Sequence, residues 1–341
     1  MKKIIVFALA ITSVFIIKLY AASLFLFPKN SAADAPLPPP APIAKKLPAT
    51  FKEDVFPEFY KGLYLNVVSA RSMEKLKGFV AAAAPAGINA FVMDCQNSRY
   101  GECIVPKENV EYCIENGIHP IARIVVFPDG LSTYPVAKSV IDEKLRIAAS
   151  ACENGFREVQ FDYIRFNDSD RLKNLSLNDR YEFIGNFLSK AREHLKKYDA
   201  KLAVDVFGRI PLNQGDIIGQ KMEHLDDAVD FICPMAYPSH YTWSKKMLQD
   251  PYYTVYITSK KAAERTKNAQ IVTYIQAFRM RLGGQPYDKY LLEQIKAVHD
   301  AGVRGYIFWN AKQDYVLPLQ MAAKYYSETK TAKTKDGKAK L

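Results

Sequence analysis

The sequence has few of the residues that mark common metal, cofactor and nucleophile sites. Five cysteines and five histidines occur in 341 residues, without a CxxC, HxH or HxxxH spacing, so no zinc site is indicated. Neither the GxGxxG phosphate loop nor the GxSxG nucleophile elbow is present. We therefore predict no metal and no cofactor, which leaves carboxylates as the candidates for catalysis.

The small, odd number of cysteines argues against a complete disulfide framework. Cys152 and Cys233 lie in apolar patterns that predict core positions. Cys95, Cys103 and Cys113 are close in sequence, so one disulfide among these three stays open for an exported chain.

The net charge of +11 is concentrated at the two ends of the chain. Residues 1–52 carry seven lysines and one acid, and residues 324–341 carry six lysines and two acids. The remaining residues, 53–323, are nearly neutral, at about +1. Because this is not the footprint of a nucleic-acid-binding surface, we predict no nucleic-acid partner. The basic ends suit solubility, or contact with a membrane or wall surface.

The first 27 residues have the composition of an export segment. A basic start precedes a largely apolar run that Lys18 interrupts, and no strong cleavage site follows it directly. Residues 1–27 are expected to be a signal peptide or an uncleaved membrane anchor, with the remainder in the periplasm or outside the cell. Residues 28–55 are rich in proline and alanine and predict a linker. Residues 327–341 predict a basic disordered tail, which leaves 56–326 for the folded domain.

Eight short apolar segments in the central region have the composition of buried β-strands, with amphipathic helical patterns between several of them. A glycine of the kind that ends helices precedes four of them. Eight strand–helix units predict an α/β fold of the (β/α)8 TIM-barrel type. The alternative is a doubly wound open sheet, but the glycine-rich loop typical of that fold is missing. The predicted strands are residues 62–67, 90–95, 120–127, 159–166, 202–207, 231–237, 271–278 and 305–310.

Three of these strands carry an aspartate in an otherwise apolar run: Asp94, Asp162 and Asp205. An ionised carboxylate in a buried strand costs roughly several kcal/mol unless it is paired or used in a site. Chemistry in such barrels collects at the C-terminal ends of the strands. The aspartates are therefore either structural, paired with Arg123 or Arg165, or members of one site. Three together, among aromatic residues, favour the site.

The fourth strand is the most informative of the eight. Strict alternation would place Gln160, Asp162 and Ile164 on one face and the residues between them on the other. Neighbouring strands lie about 4.8 Å apart, so Asp162 and Asp205, on strands four and five, could approach the roughly 5–5.5 Å of retaining glycosidases. We expect the two carboxyl groups to lie within about 10 Å of each other.

Two carboxylates beside aromatic residues suit glycoside hydrolysis. One carboxylic acid protonates the leaving oxygen, and a second carboxylate attacks the anomeric carbon or activates water. The residues expected to bind substrate lie at the other strand ends, where rings can stack on sugars and polar groups can bond hydroxyls. They are Asp94, Arg123, Gln160, Arg165, Tyr237, His240, Tyr241, Gln276, Trp309 and Asn310.

Three runs near the strand ends are distinctive in their order. They are Val159-Gln160-Phe161-Asp162-Tyr163-Ile164-Arg165-Phe166, Val204-Asp205-Val206-Phe207-Gly208 and Ile232-Cys233-Pro234-Met235-Ala236-Tyr237-Pro238-Ser239-His240-Tyr241. Together they resemble a bacterial family of glycosyl hydrolase-like domains of the TIM-barrel type, over roughly residues 60–315. The resemblance implies the barrel fold, a carbohydrate role, and Asp162 and Asp205 as the catalytic positions. It implies no particular sugar.

The sequence thus predicts an exported glycoside hydrolase that acts on a polysaccharide or oligosaccharide. The alternative is a non-catalytic carbohydrate- or cell-wall-binding barrel that is tethered at the envelope. In both cases, contact with a membrane is expected only through the N-terminal segment.

Overall fold

Eight parallel strands close a barrel in the computed structural model, which describes residues 56–338. Each strand pairs with the next along the chain, and the last pairs with the first. The predicted export segment 1–27 and linker 28–55 lie outside the described residues. The strands are β1 (Tyr60–Leu65), β2 (Ala90–Asp94), β3 (His119–Val125), β4 (Glu158–Asp162), β5 (Lys201–Phe207), β6 (Phe231–Met235), β7 (Gln270–Gln276) and β8 (Gly305–Trp309).

Helices connect the strands, so the fold is a (β/α)8 TIM barrel, as the sequence predicts. All eight predicted strands are present. A short antiparallel hairpin, Gln96–Asn97 with Glu102–Cys103, follows β2. The helices are α1 (Val67–Arg71), α2 (Met73–Ala83), α3 (Lys107–Glu115), α4 (Lys138–Glu153), α5 (Leu177–Leu195), α6 (Met222–Asp226), α7 (Lys245–Gln249), α8 (Pro251–Glu264), α9 (Tyr287–Ala301) and α10 (Val316–Lys338).

Strand alternation divides the apolar side chains between two buried layers. Outward residues such as Phe91 and Phe161 pack against the helices. Inward residues such as Val92, Ile121 and Ala203 fill the barrel. The barrel is therefore a packed core, and only its two ends can hold a site.

The N-terminal end of the barrel is closed by a buried polar cluster. The Tyr60 hydroxyl donates to Glu158 Oε2 at 2.8 Å, and His119 Nε2 lies 2.9 Å from the same oxygen. The Tyr60 ring packs edge-on against Phe231. With this end filled, the C-terminal end is the one that can open to a ligand.

The fourth strand is shorter than predicted and ends at Asp162. Tyr163 adopts a left-handed backbone conformation with φ of 53°, and its carbonyl accepts from the Phe127 N–H at 3.2 Å. Gln160 and Asp162 face the barrel interior as alternation predicts. Ile164, which was expected to follow them, instead packs in the layer under the helices, because the chain turns before reaching it.

The last helix differs from the prediction of a disordered tail over residues 327–341. It continues to Lys338, because lysine is the commonest residue of this stretch and no proline interrupts a helix already packed on the barrel. None of the helices within 56–338 combines the length and the apolar character needed to cross a membrane.

The disulfide left open by the sequence does not form. All five cysteines are buried free thiols, including Cys95, Cys103 and Cys113. Cys152 and Cys233 lie in the core, as predicted.

Candidate active site

A cavity of about 440 Å³ opens at the C-terminal ends of the strands. Its residues come from six consecutive strands and the loops that follow them. From the barrel interior come Arg123, Asp162, Asp205, Tyr274 and Trp309. From β4 and β5 onward come Tyr163, Arg165, Phe207, Gly208 and Arg209, here called the β4–β5 side. From β6 and its loop come Met235, Tyr237, His240, Tyr241 and Trp243.

Arg123 is the centre of the charged cluster. It projects inward from β3, is only 6% exposed, and forms ion pairs with Asp94 on β2 and Asp162 on β4. Its Nε also lies 4.0 Å from Asp205 Oδ2. Burial by itself would lower the pKa of the guanidinium, but Asp162, Asp94 and Asp205 outweigh burial and raise that pKa well above its usual value. The Arg123 guanidinium thus interacts with the carboxyl groups of all three aspartates.

Asp162 is held at both oxygens. Its Oδ1 accepts the Tyr163 N–H at 2.6 Å, and its Oδ2 accepts Arg123 Nε at 3.1 Å together with Nη2. The turn that ends β4 places the Tyr163 N–H where it can donate. The carboxylate therefore faces the cavity with a fixed orientation and a positive counter-charge.

Asp205 has a different environment from its neighbour. It is 2% exposed, and its Oδ1 has no hydrogen-bond partner among the described residues. Burial raises the pKa of this carboxyl well above its usual range, and Asp162 raises it further, while Arg123 offsets only part of the rise. The buried site thus favours the protonated form of the Asp205 carboxyl.

The two carboxyl groups are close. Arg123 Nε lies 3.1 Å from Asp162 Oδ2 and 4.0 Å from Asp205 Oδ2, so these two oxygens are no more than about 7 Å apart. This separation lies inside the 10 Å expected from the sequence. This upper limit admits the carboxyl separation of roughly 5–5.5 Å that retaining enzymes have. It admits only the lower end of the range of roughly 6.5–9.5 Å that inverting enzymes have.

Asp94 supports Arg123 and does not line the cavity. Its Oδ2 accepts the Tyr64 hydroxyl at 2.5 Å, while its Oδ1 pairs with Arg123. The Tyr64 ring packs on Trp309 at 4.0 Å, and the Arg123 guanidinium lies 5.2 Å from the Trp309 ring. Asp94, which the sequence predicts to contact substrate, thus lies outside the cavity lining and holds the guanidinium in place.

Gln160 also lies below the cavity. It is fully buried, accepts the Tyr274 hydroxyl at 2.6 Å, and donates to Cys233 Sγ at 3.1 Å. Tyr274 covers it and lines the cavity in its place. Gln160 faces inward, as alternation along the strand predicts, but it lies one layer below the cavity surface.

Gln276 and Asn310 are structural in the described fold. Gln276 accepts the Ser239 N–H at 3.1 Å and the Tyr290 hydroxyl at 3.0 Å, and it donates to two carbonyls of the loop after β7. Asn310 donates to Ala277 O at 2.6 Å and caps the loop after β8. Neither residue lines the cavity, because both side chains are used to fix loops.

The loop after β6 brings four aromatic side chains to the cavity. Burial lowers the pKa of His240, and nearby Arg281 lowers it further, so its ring is neutral at pH 7. His240 packs edge-on against Tyr237 at 5.4 Å. The Tyr241 hydroxyl bonds Thr258 inside the protein, and its ring lies 5.0 Å from Trp243, which is 61% exposed.

Several cavity residues were not selected from the sequence. They are Tyr163, Phe207, Gly208, Arg209, Met235 and Tyr274. Phe207, Gly208 and Arg209 follow Asp205 directly, so extending the strand-end rule into the next loop would have found them. Within the described range, no three His, Cys, Asp or Glu side chains are grouped as a metal site.

A family model and several solved structures match this chain. Residues 131–315, more than half of the chain, match a family model described as "Putative glycosyl hydrolase domain". No curated protein sequence matches the chain significantly.

Solved structures of similar fold share little sequence with this chain. The PgaB (BpsB) glycoside hydrolase domain of Bordetella bronchiseptica has a TM-score of 0.59 at 10% identity, covering 78% of this chain and 98% of its own. The Bacillus cereus spore cortex-lytic enzyme SleL has a TM-score of 0.53 at 13% identity, covering 80% and 76%. A chitinase of Chromobacterium violaceum has a TM-score of 0.53 at 14% identity, covering 77% and 98%. At these identities the likeness establishes the fold alone.

Proposed function

The chain belongs to the glycosyl hydrolase domain family whose model it matches, and from this premise we propose that it hydrolyses glycosidic bonds in a polysaccharide. The observation that carries the proposal is the contrast between Asp162 and Asp205. The two carboxyl groups face one cavity from neighbouring strands; one is bound to a guanidinium, and burial raises the pKa of the other well above its usual range. Such a pair, with the two groups held in different charge states, is what acid-assisted glycoside cleavage needs.

Asp205 is the proposed general acid. Burial raises the pKa of its carboxyl well above the usual range, which favours the protonated form that a general acid needs to protonate the oxygen of the leaving sugar. The unpartnered Oδ1 leaves one of its oxygens without a competing protein contact. In the second half of a retaining cycle, the resulting carboxylate would take a proton from the attacking water.

Asp162 is the proposed nucleophile, or stabiliser of the oxocarbenium-like transition state. Arg123 and the Tyr163 N–H fix its orientation before a substrate arrives. A preorganised carboxylate loses little energy to rearrangement when positive charge develops on the sugar ring. Arg123 is a positioning residue in this account, since it acts through Asp162.

The aromatic lining supports a saccharide ligand. Trp309, Tyr237 and Trp243 offer ring faces or edges around the cavity, and rings of this kind pack on the apolar faces of sugars. Trp243 is the most exposed of these three, so we assign it to a sugar unit at the entrance. A chain-like substrate that extends from the carboxylate pair to the rim fits this arrangement.

The proposal is tested by measuring the release of reducing ends from a panel of polysaccharides, with binding measured in parallel. We expect wild type to cleave at least one polysaccharide, and Asp162→Asn and Asp205→Asn each to lose the cleavage while still binding it. Asp300→Asn, which changes a carboxylate paired with Lys296 away from the cavity, is the matched control and should keep activity. Unimpaired cleavage by either cavity variant would contradict the assignment.

A non-catalytic carbohydrate-binding barrel is the second candidate. It is favoured by one observation, namely that protein groups engage both oxygens of Asp162. The same panel separates the two candidates, because binding without turnover of any polysaccharide by wild type would favour the binding protein.

We also propose that the protein acts outside the cytoplasm, on the composition of residues 1–27. Cell fractionation with N-terminal sequencing tests this proposal and separates a cleaved signal peptide from a retained anchor. Recovery of the full chain in the cytoplasmic fraction would contradict it.

A further inference from the structure

The β4–β5 side of the cavity presents two arginines around one aromatic ring. The guanidinium groups of Arg165 and Arg209 lie 4.9 and 5.0 Å from the centroid of the Phe207 ring. All three residues line the cavity. Contact with an aromatic face restrains a guanidinium while leaving its N–H groups free to bond in its plane. The two cationic groups are therefore held in place before any ligand binds.

The hydrogen-bonding capacity of Arg165 is only partly used. Both of its side-chain hydrogen bonds come from Nη1, to Phe166 O at 3.1 Å and to Asp168 Oδ1 at 3.3 Å. Its Nε is buried and has no acceptor in the part of the chain that the structure describes. Arginine recognises a carboxylate through two parallel N–H groups. The edge of the Arg165 guanidinium that contains Nε therefore has no carboxylate paired with it.

An exposed carboxylate, Asp168, bridges the two arginines. Its oxygens lie 3.3 Å from Arg165 Nη1 and 3.6 Å from Arg209 Nη2, and its side chain is 55% exposed. Arg209 has a stronger partner in Asp216, which is buried and binds it at 2.7 and 3.0 Å. An exposed ion pair is weak, so the Asp168 contacts are the ones that a ligand can replace.

Few acids in the lining of the cavity could oppose an anionic ligand. Among the described residues, two acids line it, Asp162 and Asp205. Arg123 pairs with the first, and burial raises the pKa of the second well above its usual range, which favours its uncharged form. Arg123 is shared with Asp94, so negative charge remains in that deeper cluster, whereas a carboxylate entering on the β4–β5 side would meet the guanidinium groups of Arg165 and Arg209.

We propose that the β4–β5 side binds the carboxylate of a uronic acid residue through Arg165 and Arg209, and that this carboxylate replaces Asp168 as their shared partner. The inference rests on the proposed function in taking the ligand to be a saccharide. It makes the substrate an acidic polysaccharide, which neither the fold nor the family specifies.

Binding of matched acidic and neutral oligosaccharides tests this directly. The probes are tetramers of galacturonate, glucuronate and mannuronate, each compared with its methyl ester by calorimetry in the Asp205→Asn background, where cleavage is slow. At least one acid should bind about tenfold more tightly than its ester, a difference of about 1.4 kcal/mol, and added salt should reduce the preference. Equal affinities, or no binding of any acid, would overturn the proposal.

Two variants test the arginines and their counter-ion. Asp168→Asn in the same background removes the competing carboxylate, so the ratio of acid to ester affinity should rise severalfold. Arg165→Gln should bring that ratio close to one. Asp142→Asn is the matched control, because Asp142 also bridges two cations, Lys138 and Lys190, but does not line the cavity. A ratio that Asp168→Asn leaves unchanged or lowers would overturn the proposal even if Arg165→Gln fails to fold.

The outcomes also separate this inference from the proposed function. A preference for acidic oligosaccharides without cleavage of any polysaccharide would contradict the proposed hydrolase activity and still support the uronate site. Cleavage of neutral polysaccharides without a preference for acidic oligosaccharides would contradict the uronate site and still support the proposed hydrolase activity.

Discussion

Three aspartates and one arginine on four neighbouring strands share a single buried cluster, yet each aspartate has its own environment. Asp94 accepts a hydrogen bond from Tyr64 and pairs with Arg123. Asp162 pairs with Arg123 and accepts a backbone N–H. Asp205 is buried, and its Oδ1 has no hydrogen-bond partner among the described residues. Solvation and partners, more than residue type, decide which carboxyl keeps its proton. The proposed division of labour between acid and carboxylate follows from these contacts.

The raised pKa of Asp205 predicts a pH-dependent cost in stability. Its carboxyl binds a proton more tightly in the folded than in the unfolded chain, so its contribution is fully present below about pH 4 and declines as pH rises towards the folded pKa. Asp205→Asn removes this decline. The melting temperature of the variant minus that of wild type should therefore increase between about pH 4 and pH 8. A gap that stays constant over this range would contradict the protonated state.

Loss of Arg123 should destabilise the whole domain. Arg123→Met leaves the Asp94 and Asp162 carboxylates without their cation in a buried site, which typically costs about 3–5 kcal/mol. Urea unfolding measures the change. Arg192→Met is the control, because Arg192 is 43% exposed and pairs with Asp230 at 3.3 Å, so its loss should cost no more than about 1 kcal/mol. Equal effects of the two variants would contradict the central role of Arg123.

At the scale of elements, the strands fix the depth of each side chain and the loops complete the cavity. The loop after β5 passes so close to the loop after β6 that only glycine fits at position 208. A Cβ there would lie 2.1 Å from the Tyr241 hydroxyl oxygen and 2.4 Å from Met235 O. The aromatic side of the cavity therefore depends on a residue that has no side chain.

Gly208→Ala should displace the Tyr241 loop, lowering both stability and saccharide binding, with an unfolding cost of about 1–3 kcal/mol. Gly185→Ala is the matched control. It lies within α5, where the nearest atom to a new Cβ is 3.7 Å away, and alanine is the better helix former by about 1 kcal/mol. The control should be neutral or stabilising. A stable, binding-competent Gly208→Ala protein would contradict the close contact.

Eight apolar segments with helical patterns between them were enough to predict the barrel, and alternation along the fourth strand placed Gln160 and Asp162 on one face, because successive side chains of a strand point to opposite faces. It could not separate Gln160, which Tyr274 covers, from residues at the cavity surface. It also failed at Gln276 and Asn310, where the chain leaves the sheet and loop contacts decide the direction of the side chain. Arg209 lies beyond a strand end, where periodicity carries no information.

At the scale of the molecule, the barrel is closed on itself and sealed at one end. β1 pairs with β8 and β2, and the Tyr60, Glu158 and His119 cluster fills the N-terminal end. Every proposed chemical group lies at the other end. The proposed chemistry thus lies at the end of the fold where TIM barrels typically carry their active sites.

The closure of the barrel predicts that residues 56–341 fold without the segment before them. A chain that starts at residue 56 keeps β1 and the Phe56 contact with the His119 ring. Its melting temperature should lie within about 2 °C of that of the full chain, since it keeps every strand pairing found among residues 56–338. Failure of the shortened chain to melt cooperatively would contradict the domain boundary.

The most direct test of the account is the leaving-group dependence of Asp205→Asn. The measurement is kcat/KM of wild type and variant on two glycosides of the sugar that the polysaccharide panel identifies, one with an alkyl and one with a dinitrophenyl leaving group. A general acid matters only when the leaving oxygen needs a proton, so the variant should lose about 100-fold or more on the alkyl glycoside and less than about tenfold on the activated one. An equal loss on both glycosides, or no loss on the alkyl glycoside, would contradict Asp205 as the proton donor.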